Sequence, residues 1–386
     1  MKKIAVLLDI PILHDGRVRR VVESLSEQNE VDLFCVKTTF DDSSLFGKNV
    51  RVFNYELNIN WINRNLLFQK KFENLPQLVL GKNIKYDFIY CNDYPLLEVS
   101  VALKEKIGAK LIFDSHEIYI ATINQFFPVS GWKVIYGKPL IWLNQWYHGN
   151  REKELVKQVD KMITVCDSLK HYFEEKYDLQ NILVVRNCPK NIQSIYKSNG
   201  IRQELKLKSD TRILLYQGDV NVSRGVDKVA EAMPLVNEHI HFVVIGGGNK
   251  LKEFKDKYSS SRIHFLGKKV FDELNEYTLS ADIGILLIEG YNVSKKYALP
   301  NKLFEYMAAA KPIISNQLLE PARIINEINC GVLIDDSTKD SIAEAINKVF
   351  ERNDLVQLGN NGYNAVLNKF NWEVEVQKLK ELVANN

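Results

Sequence analysis

The sequence predicts an α/β fold of two doubly wound, parallel-sheet domains, and three observations carry that prediction. Short apolar, β-branched runs alternate with helical patterns along the chain. The runs are apolar throughout, which marks strands buried on both faces and hence parallel sheets covered by crossover helices. The series pauses once, between Pro189 and Asp210, and then starts afresh. At roughly 150 residues per domain, 386 residues suit two such domains.

In chain order, the first half offers strands at Ile4–Leu8, Val31–Val36, Asp87–Cys91, Lys110–Phe113, Met162–Val165 and Ile182–Val185. Residues 1–190 are read as the first domain and the polar, aperiodic stretch 191–210 as a linker. The second half offers Ile213–Tyr216, His241–Ile245, Ile263–Leu266, Ile283–Ile288, Pro312–Ser315 and Val332–Ile334. Ile342, Ile346, Val349 and Phe350 fall at i, i+4, i+7 and i+8, which predicts a helix capped by Ser337 or Thr338. Two such domains face a cleft, with ligands at the carboxyl ends of the strands.

Composition excludes several classes. Hydrophobic residues make up 46% and charged residues 26%, so a disordered or fibrous chain is ruled out. The net charge of +3 is too small for a nucleic-acid binder, whose phosphate contacts need clustered Lys and Arg. Five scattered cysteines without a Cys-x-x-Cys fit buried thiols in a reducing cytoplasm. Asp9 cuts short the apolar start, so no signal peptide is expected, and no stretch is apolar enough to span a membrane. No His, Asp, Glu or Cys cluster has metal-ligand spacing, so no metal site is assigned.

Two segments depart from this pattern. Residues 118–150 hold no Asp or Glu but eight aromatic residues, including Trp132, Trp142 and Trp146. Residues 59–72 combine Trp61 and Phe68 with Arg64, Lys70 and Lys71. Such composition suits a peripheral contact with the inner membrane face or a lipid-like acceptor. An ordinary core helix or a packing surface between domains is the competing reading.

Two motifs carry chemistry. In Leu299-Pro300-Asn301-Lys302-Leu303-Phe304-Glu305-Tyr306-Met307-Ala308, Pro300 suits the first turn of a helix. The free amides and dipole there make an anion site, to which Lys302 adds charge. Glu305, one turn on, can accept two hydrogen bonds from a vicinal diol. The plain alternative is a Lys–Glu surface pair. In Gln217-Gly218-Asp219-Val220-Asn221-Val222-Ser223-Arg224-Gly225, a strand ends at a glycine and Arg224 can clamp a diphosphate. The plain alternative pairs Arg224 with Asp219 or Asp227. Gly246-Gly247-Gly248 reads better as a tight turn than as a phosphate cradle. His14 can enter the cleft or lie in a solvated loop.

These two motifs, in this order and at this separation, resemble the donor domain of retaining GT-B glycosyltransferases of family 4. The match includes the subgroup with the Leu-Pro-Asn-Lys-Leu-Phe-Glu-Tyr form. Phe113-Asp114-Ser115-His116-Glu117-Ile118-Tyr119 resembles the family's Asp-x-His-Glu-x-Tyr element. Met162–Ser168 and Ile182–Pro189 resemble its first-domain landmarks, and Phe370-Asn371-Trp372-Glu373 resembles the start of its last helix.

The resemblance implies a metal-independent, cytoplasmic hexosyl- or N-acetylhexosaminyl-transferase. Residues 211–369 would be the donor domain, and 370–386 a helix crossing back onto the first. No cofactor is implied: a nucleoside-diphosphate sugar is the donor substrate, UDP favoured over GDP. The acceptor partner would be a surface polysaccharide or lipid-linked glycan. Arg224 and Lys302, with Pro300 and Asn301, would hold the diphosphate, and Glu305 the ribose. Gly218 and Gly16 would admit the donor, and Gly267 with Lys268 would frame the base. His116 would sit near the transferred sugar and acceptor. The leaving phosphate can itself take the acceptor proton, and the cleft would close about residues 189–210. Two positions depart from the family: Asp219 replaces a frequent Arg, and Tyr297 replaces a frequent Glu that contacts the donor sugar. Two alternatives follow, a non-catalytic sugar-nucleotide-binding subunit and a GT-B-like sugar-nucleotide epimerase.

Overall fold

A computed structural model describes residues 1–38, 42–59, 68–126, 134–190, 192, 195–196, 198–269, 271–289 and 292–385. Trp61, Arg64 and Trp132 fall outside these. Contacts divide the chain into two units, Met1–Arg186 with Val376–Asn386, and Asn187–Glu375.

The first unit holds a sheet of seven strands, all parallel: β1 (Lys3–Leu7), β2 (Glu30–Val36), β3 (Val50–Tyr55), β4 (Phe88–Asn92), β5 (Lys110–Ser115), β6 (Lys161–Thr164) and β7 (Leu183–Val184). Their order is β3-β2-β1-β4-β5-β6-β7. The order reverses between β1 and β4, the switch point where such sheets bind ligands. Ile4 to Leu7 are fully buried, as an all-apolar central strand requires.

The sequence runs omit β3. It pairs only with β2, at the sheet edge. Its alternating Val-Arg-Val-Phe-Asn-Tyr pattern reflects that one-sided position, and Arg51 bonds to Asp32 of β2 at 2.7 Å.

The second unit holds six parallel strands: β8 (Arg212–Gln217), β9 (Ile240–Ile245), β10 (Ile263–Gly267), β11 (Ile283–Leu286), β12 (Ile313–Asn316) and β13 (Gly331–Ile334). Their order is β10-β9-β8-β11-β12-β13, with the switch point between β8 and β11. Each face has its own core. Leu214, Tyr216, Phe242 and Val244 pack with Val226, Ile342 and Val349, while Ile213, Leu215, Val243 and Ile245 pack with Leu303, Phe304, Met307 and Val366. The predicted cap holds: the Thr338 hydroxyl accepts from the Ser341 amide at 3.3 Å at the start of helix Lys339–Phe350.

The last helix, Trp372–Ala384, starts in the second unit and ends in the first. Val376, Leu379 and Val383 are buried, Lys378 bonds to the Val184 carbonyl at 3.1 Å, and Lys380 pairs with Glu27 at 2.7 Å. All five cysteines are buried, and none of them forms a disulfide. Among the described residues, no helix is long and apolar enough to cross a membrane.

Candidate functional site

The second unit gathers several sequence-predicted residues at the carboxyl end of β8. Gly218 follows that strand at φ +124°, and a methyl on it would stand 3.3 Å from Lys302 Cε and Nζ. Lys302, on the helix Asn301–Ala308, is 8% exposed, and its ammonium lies 3.6 Å from the centre of the Tyr216 ring. Burial pushes the ammonium well below its usual pKa, Arg224 pushes it further, and Glu305 and Asp219 oppose them only in part. It is a charge waiting for an anion, since a nearby negative group would reverse that balance. The Lys–Glu surface pair is therefore not what forms.

Glu305 is held from the side. The Gln217 amide donates to Glu305 Oε2, while the Gln217 amide oxygen accepts from the Thr278 hydroxyl at 2.8 Å. The Gln217 backbone amide in turn donates to the Tyr306 hydroxyl at 3.0 Å, which donates to the Leu215 carbonyl at 3.1 Å. Gln217 thus holds the Glu305 carboxylate through its side chain and the neighbouring Tyr306 through its backbone. Sequence reasoning gave Gln217 and Thr278 no role, because their contacts join residues 61 and 88 positions apart.

Arg224 ends a turn whose amide bonds back to the Asn221 carbonyl at 3.3 Å. Its guanidinium makes no ion pair with Asp219 or Asp227, and its charge acts on both Lys302 and Tyr216. Gly225 next to it is required: φ is +71°, and a methyl would fall 2.5 Å from Leu287 Cβ. Pro300 stands one position before the helix, as its N-cap with φ −71°, so the first helical residue is Asn301. Glu289, the acid nearest upstream of Tyr297, pairs with Lys228 at 2.8 Å.

The neighbouring turns interlock. Gly246 donates to the Gly267 carbonyl at 2.8 Å, and Val220 to the Gly247 carbonyl at 2.6 Å. A methyl on Gly246 would fall 1.8 Å from the Gly218 carbonyl oxygen and one on Gly248 2.3 Å from the Val220 carbonyl oxygen, so these two glycines are set by backbone crowding. The exposed Lys268 runs along Gly247, and Gly267 takes φ +73° with open space around it.

His116 and Gly16 belong to the first unit. His116 Nδ1 stands 3.0 Å from Asp93 Oδ2, its backbone amide bonds to Asp93 Oδ1 at 2.9 Å, and Nε2 lies 3.5 Å from Asp114. Burial disfavours its charge, but Asp93 and then Asp114 outweigh burial and raise the pKa well above normal. The two carboxylates thus favour the protonated ring of His116. Asp114 is locked in turn by Arg17, at 2.9 Å and 3.1 Å, and by the Tyr90 hydroxyl at 2.7 Å. Asp93, the residue after β4 at the switch point, has φ 59° and ψ 163°, a conformation costing about 1–3 kcal/mol outside glycine. Asp9, just past β1, has its pKa raised to about 7, mostly by burial and then by Asp93. Gly16 opens the helix Gly16–Ser26, where a methyl would meet only Arg20 at 3.7 Å, so nothing nearby demands a glycine. His14 is exposed.

The fold has solved counterparts of the GT-B class. Sucrose-phosphate synthase from Thermosynechococcus elongatus superimposes with a TM-score of 0.77 at 17% identity, covering 100% of this chain and 99% of that one. HepE of Anabaena, solved with UDP, gives 0.75 at 13% identity, covering both chains fully. Residues 211–352 match the family described as Glycosyl transferases group 1. That match lies wholly within the second unit. An uncharacterised glycosyltransferase of Methanocaldococcus jannaschii is 24% identical over 62% of this chain and 62% of its own length. The lipopolysaccharide 1,2-N-acetylglucosaminetransferase of Salmonella typhimurium is 23% identical over 62% of this chain and 65% of its own. The matches span less than two thirds of either relative.

Proposed function

We propose that this chain is a retaining, metal-independent glycosyltransferase. It moves a hexose or N-acetylhexosamine from a nucleoside-diphosphate sugar, UDP before GDP, to a surface polysaccharide or lipid-linked glycan. The observation that carries this reading is Lys302 beside Gly218, with the charge of Arg224 acting on it and Glu305 held one helical turn away. Lys302 supplies positive charge in a region where the family's Arg is replaced by Asp219. The Anabaena neighbour solved with UDP and UDP-glucose, and the relative named as an N-acetylglucosaminetransferase, support the donor class.

Breaking the anomeric bond builds charge on the departing phosphate. Lys302, Arg224 and the first amides of the helix after Pro300 would neutralise it, an effect largest where water is excluded. Glu305 would accept from the ribose diol. Gly267 and Lys268 would frame the base. In this reading the leaving phosphate itself takes the incoming hydroxyl's proton, as a retaining mechanism allows.

Calorimetric titration with UDP, GDP, ADP and CMP, without metal, tests the donor reading. One diphosphate should bind, and Glu305→Ala should weaken it about tenfold or more. Absence of binding by all four would overturn it. Asp219 and Tyr297 favour a second reading, a non-catalytic sugar-nucleotide-binding subunit. Turnover of labelled donor, lost in Arg224→Ala, would eliminate that alternative.

A further inference from the structure

The helix Val134–Leu155 of the first unit is turned inside out. A surface helix ordinarily buries its apolar stripe and shows its polar one. Here Asn144, His148 and Glu152, at i, i+4 and i+8, face inward and are at most 5% exposed. The inward polar groups are used. His148 Nδ1 shares a hydrogen bond with the Tyr94 hydroxyl at 2.8 Å, and Glu152 accepts from the Tyr177 hydroxyl. The opposite side shows Trp142, Leu143, Trp146 and Tyr147, exposed by 66%, 51%, 58% and 47%. Four large apolar side chains on two successive turns form a contiguous patch, which water alone does not favour.

Three features select the occupant. Trp and Tyr have an apolar body and a polar tip, the chemistry of the membrane–water boundary. No Asp or Glu occurs from Ile118 to Asn150, and Lys138 is exposed at the head of the stripe, so its charge complements an anionic surface. Area argues against a protein partner. At about 150–250 Å² for a whole aromatic side chain, this half-exposed set offers on the order of 500 Å², short of the roughly 800 Å² per partner of a stable protein contact. A bilayer needs no such matched area, because side chains insert one by one.

We propose that this face is a membrane-binding surface, which lays the helix Val134–Leu155 flat on an anionic bilayer. The proposal stands apart from the donor reading, since it uses residues of the first unit only. Trp142 and Trp146 enter the headgroup boundary, and Lys138 meets lipid phosphate.

Flotation of the full chain with vesicles of phosphatidylethanolamine and phosphatidylglycerol tests it. The wild type should float. The double variant Trp142→Ser/Trp146→Ser should lose about tenfold or more of its vesicle partition, since binding scales with the apolar area inserted. Val356→Ser, which removes an equally exposed apolar residue from the second unit, should float as the wild type does. Near-ultraviolet circular dichroism of the double variant confirms that it is folded. Failure of the wild type to float, or equal flotation of the double variant, would overturn the proposal. So would a solution dimer in sedimentation that the double variant abolishes, which would make the face an interface between copies.

Discussion

Lys302 shows how much a single residue can carry. Its folded pKa lies below the unfolded value, so the native state binds fewer protons than the unfolded chain. Stability therefore rises with pH through this group, and at neutral pH the ammonium is a destabilising burden. Lys302→Met keeps the length of the side chain and removes the charge. Thermal unfolding should show the variant at least as stable as the wild type near pH 7. Calorimetry should show its affinity for the nucleoside diphosphate lowered about tenfold to a hundredfold, the worth of one charge-assisted hydrogen bond. The wild type should bind more weakly as pH rises, from a pH below that of free lysine, and should take up protons on binding. Arg224, Lys302 and Glu305 were legible in the sequence because a helix start and a glycine turn announce themselves locally. Gln217, Thr278 and Asp93 were not. The first two act across strands whose order no local pattern encodes, and the third is distinguished by a backbone angle.

At the scale of elements, the glycine turns divide into two kinds. Gly246 is held by space, with a neighbouring carbonyl 1.8 Å from where a methyl would sit. Gly267 is held only by its positive φ. Gly246→Ala should therefore cost more than about 3 kcal/mol and displace the turn after β8, as severe steric clashes do. Gly267→Ala should cost about 1–2 kcal/mol, the left-handed penalty alone. Urea unfolding of the two variants separates them, and equal costs would refute the distinction. Of the thirteen strands among the described residues, twelve follow from apolar runs, the edge strands β7, β10 and β13 included, because buried strand positions favour apolar side chains. β3 escaped because Arg51 and Asn54 interrupt its apolar run. The helix Val134–Leu155 escaped differently. Its composition drew attention, but a sequence does not say which of two faces turns inward.

For the whole molecule, each unit has its own sheet and its own core. Calorimetric unfolding should then depart from two-state behaviour, with a calorimetric enthalpy above the van't Hoff value. Saturating nucleoside diphosphate should move the transition of the second unit, by about 2.7 kcal/mol at a hundredfold excess over Kd. The other transition should stay in place, and movement of both together would show that the units unfold as one.

The last helix gives the chain an order of birth. Val376 to the end belongs to the first unit, yet it leaves the ribosome after everything in the second. At roughly 5–20 residues per second, the stretch between Arg186 and Val376 takes on the order of 10–40 seconds to make. Through that interval the nascent first unit lacks the buried Leu379 and Val383 and leaves the Val184 carbonyl without Lys378. The second unit is wholly synthesised before the first can close. A stop codon just after Glu375 would therefore spare the later-made half of the protein and leave the earlier-made half unfinished.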